Sequence, residues 1–307
     1  MKPVIRLSDR ARALQPSATM ALDAKAKALK RQGVPVVSLA VGEPDFDTPD
    51  SIKEAGIQAL KEGFTKYTEP AGIPELREAV AAKFLADYGL TVTPDQVSVT
   101  SGAKQALFNA LQVLLNPGDE VLVPLPCWVS YPEMVGLTGA KAIGVKWTEG
   151  FQIDLEDLQS KISPRTRILL LNTPNNPTGA VYPKKTLEAV AEIALKNDLL
   201  LLSDEIYEKM VFAGATHTSL ASLSPEVSER TLTVNGCSKA YAMTGWRLGY
   251  AVGPKEIISS MVKYQSQSTS CAAGFVQKAA VEALRNGAAA IPAMVQAFDQ
   301  RRKAVLG

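Results

Sequence analysis

The sequence predicts an α/β protein in which a mainly parallel sheet is covered by helices, and three observations support this fold class. Of the 307 residues, 46% are hydrophobic, which is enough for a large buried core. From about Gln96 onward, short apolar runs alternate with amphipathic stretches of helical period. Several of these runs are apolar on both faces, which is typical of parallel strands buried between helices.

The elements can be taken in chain order. The first fifty residues predict a helix at Ala18–Arg31, a short strand at Val36–Leu39 and a loop at 41–49, which together indicate a separate lobe or arm. Helices are then predicted at Lys104–Leu115 and Lys184–Lys196, and an Ala-rich helical stretch covers Phe275–Leu306. The seven predicted strands are Val97–Thr100, Glu120–Val123, Lys141–Val145, Arg167–Leu171, Leu199–Ser203, Thr231–Val234 and Leu248–Val252.

Charge and cysteine content limit the class of protein. Lysine plus arginine number 33 against 31 aspartate plus glutamate, so a net charge of +2 gives no electrostatic reason to expect nucleic acid or an anionic membrane as a partner. Cys127, Cys237, Cys271 and the single histidine, His217, are too few and too scattered for a disulfide framework or a metal site. We expect a cytoplasmic protein without a membrane span and assign His217 no functional role.

Polar residues follow the predicted strands, where open α/β sheets build their sites. Lys239 and Arg247 lie just after one strand. A desolvated lysine can attack an aldehyde, and an arginine is suited to binding a phosphate. A solvated basic loop without a function would have the same composition. Asp204 ends another strand, where it could pair with a buried cation or simply cap a helix. Asn176 lies in a Pro-rich turn and could donate to a phenolate oxygen or only stiffen the turn.

Two further segments carry weaker signals. Residues 101–104, Ser-Gly-Ala-Lys, join a strand to a helix, where free amides can bind phosphate or a serine can merely cap. Lys104 is a cation in a first helical turn, an electrostatically unfavourable place that hints at function. Trp128 follows a strand and could stack on a flat cofactor or fill the core.

Taken together, these segments resemble the fold-type I pyridoxal 5'-phosphate (PLP) aminotransferases, specifically the aspartate aminotransferases of class I, subgroup Ib. The segments that match are GEPDFDTP (42–49), KYTEPAGIPELREA (66–79), SGAKQALFN (101–109), WVSYPEM (128–134), NTPNNPTGAVYP (172–183), SDEIYE (203–208) and SKAYAMTGWRLGYAVGP (238–254). The resemblance implies a seven-stranded sheet in a three-layer α/β/α large domain at 50–284. Residues 1–49 would form an arm and part of a small domain, and residues 285–307 would begin a truncated C-terminal part of it.

The resemblance also implies roles for single residues. Lys239 would hold the cofactor as a Schiff base and, once released by the amino acid, move the Cα proton. Asp204 would keep the pyridine nitrogen protonated, Asn176 and Tyr207 would hydrogen-bond the phenolic oxygen, and Trp128 would stack on the ring. Lys239, Asp204 and Tyr207 are therefore the predicted catalytic residues. Ser101, Gly102, Ala103, Ser238 and Arg247 would hold the phosphate, and Tyr67 would reach the phosphate of the neighbouring subunit in a homodimer.

The substrates implied are an amino acid and a 2-oxo acid, exchanged by a ping-pong mechanism, with L-aspartate and 2-oxoglutarate as the leading pair. Lys104 would read the side-chain carboxylate, helped by Ser17 and Thr19, while Gly42, Trp128 and Asn176 would also contact substrate. The arginine that grips the α-carboxylate in the family has no counterpart here, so an impaired PLP-binding fragment is one alternative. A prephenate or aromatic aminotransferase and a C–S lyase on the same fold are the others.

Overall fold

The structure is a computed structural model that describes residues 5–16, 18–39 and 42–307. Its centre is one seven-stranded sheet of order β1-β7-β6-β5-β4-β2-β3. Strand β7 is antiparallel to both of its neighbours, and the other neighbouring pairs are parallel. The strands are β1 (Val97–Thr100), β2 (Glu120–Pro124), β3 (Lys141–Val145), β4 (Thr166–Asn172), β5 (Leu200–Asp204), β6 (Thr231–Gly236) and β7 (Gly249–Val252).

Helices surround this sheet. They are α1 (Asp9–Ala13), α2 (Ala18–Arg31), α3 (Asp50–Lys61), α4 (Pro74–Tyr88), α5 (Ala103–Leu114), α6 (Ser130–Gly136), α7 (Leu155–Ser160), α8 (Lys184–Lys196), α9 (Pro225–Ser228), α10 (Lys255–Ser266), α11 (Gly274–Asn286) and α12 (Ile291–Leu306). No helix in the described ranges is both long and apolar enough to cross a bilayer.

Alternate residues of the central strands are buried on opposite faces of the sheet. In β2, Val121 and Val123 join a core cluster with Leu107 of α5, whereas Leu122 joins a second cluster with Leu187 of α8. Both faces are therefore covered, as the apolar character of these strands predicts. This confirms a mainly parallel seven-stranded sheet within three layers.

A third core cluster closes the β1–β7 end of the sheet. Ile52 of α3, Leu76 of α4 and Ala280 of α11 pack there with Val99 of β1 and Tyr250 of β7. Thus helices from both ends of the sequence support the strands that border the site described below.

Two predictions about elements need correction. The strand predicted at Val36–Leu39 was wrong, because these residues form no strand, and Val37 and Leu39 are exposed. β-branched composition alone does not make a strand without a neighbour to pair with. The helical stretch predicted at Phe275–Leu306 is two helices, α11 and α12, because Pro292 suits a first helical turn and starts the second one. The proposed division into domains at 49 and 284 stays a prediction.

Candidate active site

The ends of several strands meet at one edge of the sheet. Asn172, at the end of β4, pairs with Asp204, at the end of β5. Strand β7 runs the other way and starts at this edge, where Gly249 pairs with both Thr100 of β1 and Gly236 of β6. The loops after β1, β4, β5 and β6 and the segment before β7 are therefore neighbours, which is where open α/β sheets place ligands.

Asp204 is a buried carboxylate at the centre of this edge. Its side chain is 3% exposed, and Oδ2 accepts a hydrogen bond of 2.7 Å from the Tyr131 hydroxyl. Oδ1 accepts a bond of 3.2 Å from the Ile206 amide. Burial raises the pKa of Asp204 to about 6, because the charged form loses its hydration. Such a carboxylate is suited to pairing with a cation that enters the site.

Tyr207 and Asn176 lie beside Asp204. The Asn176 side-chain amide donates to the Tyr207 hydroxyl at 3.3 Å. Asn176 is itself fixed, because its backbone amide donates to the Asn172 side chain at 2.7 Å. Burial raises the pKa of Tyr207 to about 12, so its hydroxyl keeps its proton and can donate to an oxyanion.

Lys239 enters the same site from the loop after β6. Its Nζ lies 5.5 Å from the centre of the Tyr207 ring and donates to the Gly42 carbonyl. Burial lowers the pKa of Lys239, and nearby Arg247 lowers it further, while Glu43 and Asp204 oppose this. A lysine whose pKa is lowered offers more of the unprotonated amine, which is the nucleophilic form.

Residues suited to bind an anion lie at the start of α5. Gly102 precedes the helix with φ of 89°, and a Cβ added there would lie 2.5 Å from a guanidinium nitrogen of Arg247. The backbone of Arg247 has φ of 54°, a strained conformation for a residue with a side chain. The first amides of a helix lack intrahelical acceptors, so Ala103 adds free N–H groups beside the arginine. Ser101 adjoins these residues in the loop after β1, and buried Ser238 adjoins Lys239 after β6.

Trp128 and Lys104 form one wall of the site. The Lys104 ammonium lies 4.6 Å from the centre of the Trp128 ring. Burial lowers the pKa of Lys104, and the positive charge of Arg247 lowers it further. The unfavourable position of this cation in the first turn of α5 is therefore explained in part by its contact with an aromatic face.

Three further residues were predicted to contact the cofactor or the substrate. Tyr67 is 90% exposed on the surface. Thr19 lies half-buried in the first turn of α2. Ser17 falls outside the described residues. Their roles toward cofactor or substrate stay predictions.

A cavity of about 560 Å³ opens beside Lys239 and Tyr207. One side is formed by Gly42 and Glu43, and the other by residues of α12, including Phe298 and Arg301. Arg301 pairs with Asp45 at 2.6 Å, so α12 holds the loop that carries Gly42. These α12 residues were not predicted from the sequence, because nothing in a surface helix indicates which distant loop it will contact.

Tyr131 is the second residue that the sequence analysis missed. It is buried, lies in α6 and contacts Trp128 edge-to-face, with ring centroids 5.4 Å apart. Trp128 lies just before α6, and the Tyr131 amide donates to the Trp128 carbonyl at 3.0 Å, so a turn at the start of the helix brings the two rings together.

His217 pairs with Glu205, the residue after Asp204, and is not among the residues that line the cavity. Its Nε2 is 3.2 Å from Glu205 Oε2, and both side chains are buried. Glu205 Oε1 accepts further bonds from the Ser203 hydroxyl, the Ser219 hydroxyl and the Leu220 amide. The histidine is therefore part of a buried polar network behind Asp204.

Comparisons with known proteins agree with this geometry. The family model described as aminotransferase class I and II matches residues 34–306. An aspartate/prephenate aminotransferase of Thermus thermophilus is 52% identical over 305 residues, 98% of this chain and 78% of that protein. An aspartate aminotransferase of Geobacillus stearothermophilus is 47% identical over 299 residues, 97% of this chain and 76% of that protein.

Solved structures agree as well. The aspartate aminotransferase of Thermus thermophilus with maleate superposes with a TM-score of 0.95 at 52% identity, and the match covers 99% of this chain and 80% of that one. The aspartate aminotransferase of Rhizobium meliloti gives a TM-score of 0.94 at 42% identity, covering 98% and 76%. On sequence and fold together, this chain belongs to the class I and II aminotransferase family.

Proposed function

We propose that this aminotransferase uses PLP to exchange the amino group of L-aspartate with 2-oxoglutarate, giving oxaloacetate and L-glutamate. One observation supports this most strongly. A half-buried amine, a buried carboxylate and an arginine beside a helix start converge at one edge of the sheet, in Lys239, Asp204 and Arg247.

The residues at this edge fit the cofactor. The Asp204 carboxylate is buried with a raised pKa, so a protonated ring nitrogen would supply the cation that its surroundings lack. The close approach of Arg247 to Gly102 leaves no room for a Cβ, and it puts a guanidinium beside the free amides of α5. Ser101, Ala103 and Ser238 would complete the phosphate site, and Trp128 would cover the ring.

When bound, PLP supplies an aldehyde that condenses with amines and a protonated ring that accepts the electrons left when a Cα proton departs. Lys239 would hold it covalently through Nζ. After the amino acid takes its place, the Lys239 amine is free to remove the proton from the substrate Cα. Asp204 would accept a hydrogen bond from the protonated ring nitrogen, and Asn176 and Tyr207 would donate to the phenolic oxygen. Two half-reactions of this kind, one with each substrate, give ping-pong kinetics.

Specificity for an acidic side chain is assigned to Lys104. Lys104 is exposed at the wall formed with Trp128, where its ammonium can meet a carboxylate that enters the site. Gly42 would contact the substrate by its backbone, and Ser17 and Thr19 would approach as the arm closes. The relatives named for aspartate support this choice of amino donor.

An absorption spectrum of the purified chain with PLP, recorded before and after L-aspartate is added, tests the proposal. We expect a pH-sensitive absorption band close to the boundary between the ultraviolet and the visible range, and we expect Lys239→Ala to abolish it. Adding aspartate should shift the absorption to a shorter wavelength. A band that ignores aspartate would leave a PLP-binding protein without this activity. The absence of a band would refute the cofactor assignment.

Prephenate is a second candidate amino acceptor. The Thermus thermophilus relative is named for both aspartate and prephenate, and prephenate also carries a carboxylate that Lys104 could read. A panel of oxo acids with L-aspartate as donor compares the two acceptors. Release of pyruvate from a sulfur amino acid without any oxo acid would instead identify a C–S lyase.

The active form is proposed to be a homodimer with shared sites. The 90% exposure of the Tyr67 side chain supports this, because a large aromatic residue exposed in a loop is available to a second subunit. The cytoplasmic location expected from the cysteine content also stays a prediction.

A further inference from the structure

Tyr131 contacts the site through a hydrogen bond to Asp204 and a ring contact with Trp128, and it has no role in the chemistry described above. Its side chain is 1% exposed, and its hydroxyl donates to Asp204 Oδ2 at 2.7 Å. Within the described residues this is the one hydrogen bond that the hydroxyl makes. The other carboxylate oxygen accepts from the Ile206 amide at 3.2 Å, so both oxygens of Asp204 are held as acceptors.

We propose that Tyr131 is a positioning residue that keeps Asp204 ionised, and thereby ready to bind a protonated ring nitrogen. This inference rests on the proposed function. The inference identifies Tyr131 as the residue on which the charge of Asp204 depends.

The hydrogen-bond donors around Asp204 match its ionised form. An ionised carboxylate accepts only, and the two donors that reach Asp204 suit that form. If Asp204 took up a proton and donated it to Tyr131, the tyrosine hydrogen would be left buried without an acceptor, which is costly. Tyr131 therefore opposes the effect of burial on the pKa of Asp204.

The other ionisable groups around Asp204 are few. Glu205 raises the pKa of Asp204, and the Lys239 ammonium lowers it. Cys127 and Tyr207 face Tyr131, whose own pKa burial raises well above its usual value. Because Tyr131 stays protonated throughout the neutral range, it acts as a constant donor while Asp204 titrates.

Tyr131 also links Asp204 to the wall of the site. The rings of Trp128 and Tyr131 meet at an interplanar angle of 86°, and Tyr131 lies in α6, which begins two residues after Trp128. The residue proposed to cover the cofactor ring and the residue that anchors Asp204 are thus packed as one unit.

The dissociation constant of PLP, measured by absorbance titration between pH 5 and pH 9, tests this inference. In Tyr131→Phe we expect an affinity about tenfold weaker at pH 7, because a hydrogen bond to a charged group is lost. The pH at which binding is half-maximal should rise by about one unit, because Asp204 then ionises less readily. Tyr131→3-fluorotyrosine keeps the shape but is a stronger donor, and it should move that midpoint downward.

Two controls distinguish the loss of the Tyr131 hydrogen bond from a loss of folding or of packing. Tyr250→Phe removes a buried hydroxyl that has no partner in the described chain, and it should leave the pH midpoint unchanged. In an Asp204→Asn background, Tyr131→Phe should have no further effect on the midpoint. Equal midpoints in Tyr131→Phe, Tyr250→Phe and the unchanged chain would overturn the inference while leaving the proposed function intact. Failure of the unchanged chain to bind PLP would overturn both.

Discussion

At the scale of single residues, Asp204 makes the cofactor-free protein sensitive to pH. Its folded-state pKa of about 6 lies above the ordinary value of 3.8, so between these values the folded state binds more protons than the unfolded state. The stability that this group contributes is complete below the unfolded-state pKa and is lost as the pH rises through 6.

We therefore predict that the unchanged chain loses about 1 kcal/mol of unfolding free energy between pH 5 and pH 7, relative to Asp204→Asn. Urea denaturation of the two cofactor-free proteins at both pH values measures this difference. If the difference in unfolding free energy between the two proteins were the same at both pH values, the pKa of Asp204 would not be raised in the folded state. Saturating PLP should reverse the trend, because a cationic partner favours the ionised carboxylate.

Lys104 gives a second prediction at this scale. Replacing it by methionine keeps much of the side-chain length but removes the charge that would meet an acidic side chain. The kcat/KM for L-aspartate should fall about tenfold to a hundredfold, since a charge-assisted hydrogen bond contributes about 1.5–3 kcal/mol. L-Alanine serves as the control donor and should be used as well as before. A similar loss with both donors would indicate damage to the cofactor site instead.

At the scale of elements, the loop between β1 and α5 depends on Gly102. Alanine there adds a Cβ against the Arg247 guanidinium at a φ of 89°. We expect Gly102→Ala to lower unfolding free energy by about 1–3 kcal/mol and to weaken PLP binding, because Arg247 must move away from the helix start.

Gly89 provides the matched control for this change. It follows α4 with a φ of 69°, and no atom lies within 4 Å of a Cβ built on it. Gly89→Ala should therefore cost stability through backbone strain while leaving PLP affinity unchanged. If both variants bind PLP equally well, the proposed phosphate site is in the wrong place.

Some elements of the fold could be predicted from the sequence and others could not. Strands such as β4 and β5 could be predicted because they are apolar on both faces, and residues at their ends then meet through parallel pairing. Val36–Leu39 was predicted wrongly, since strand formation depends on a partner that local composition does not reveal. Tyr131 and Arg301 were missed for a related reason: each matters through one tertiary contact, with Asp204 and Asp45 respectively.

At the scale of the whole molecule, a shared active site predicts complementation between two inactive variants. Lys239→Ala removes the amine, and Tyr67→Ala removes a residue proposed to serve the neighbouring subunit. When the two variants are mixed and allowed to exchange subunits, each mixed dimer should contain one site with both defects and one intact site.

Activity should therefore reappear in the mixture, approaching one quarter of the unchanged enzyme at equal concentrations. Light scattering should report a dimer in each sample. No recovery after verified subunit exchange would mean that Tyr67 serves its own site or none. The Lys239→Ala protein mixed with itself provides the background.

The loop that carries Gly42 has a further consequence for how the protein is made. Its contacts are with Lys239, Thr244 and Arg301, at sequence separations of 197, 201 and 256 residues. On the ribosome this loop is synthesised early and has no anchor until those residues emerge. Lys239 leaves the exit tunnel before Arg301 does. The nascent chain therefore passes through a stage in which the Lys239 amine is present but the ion pair between Arg301 and Asp45 has not yet formed. Cofactor present during translation would therefore reach the amine before Arg301 fixes the loop.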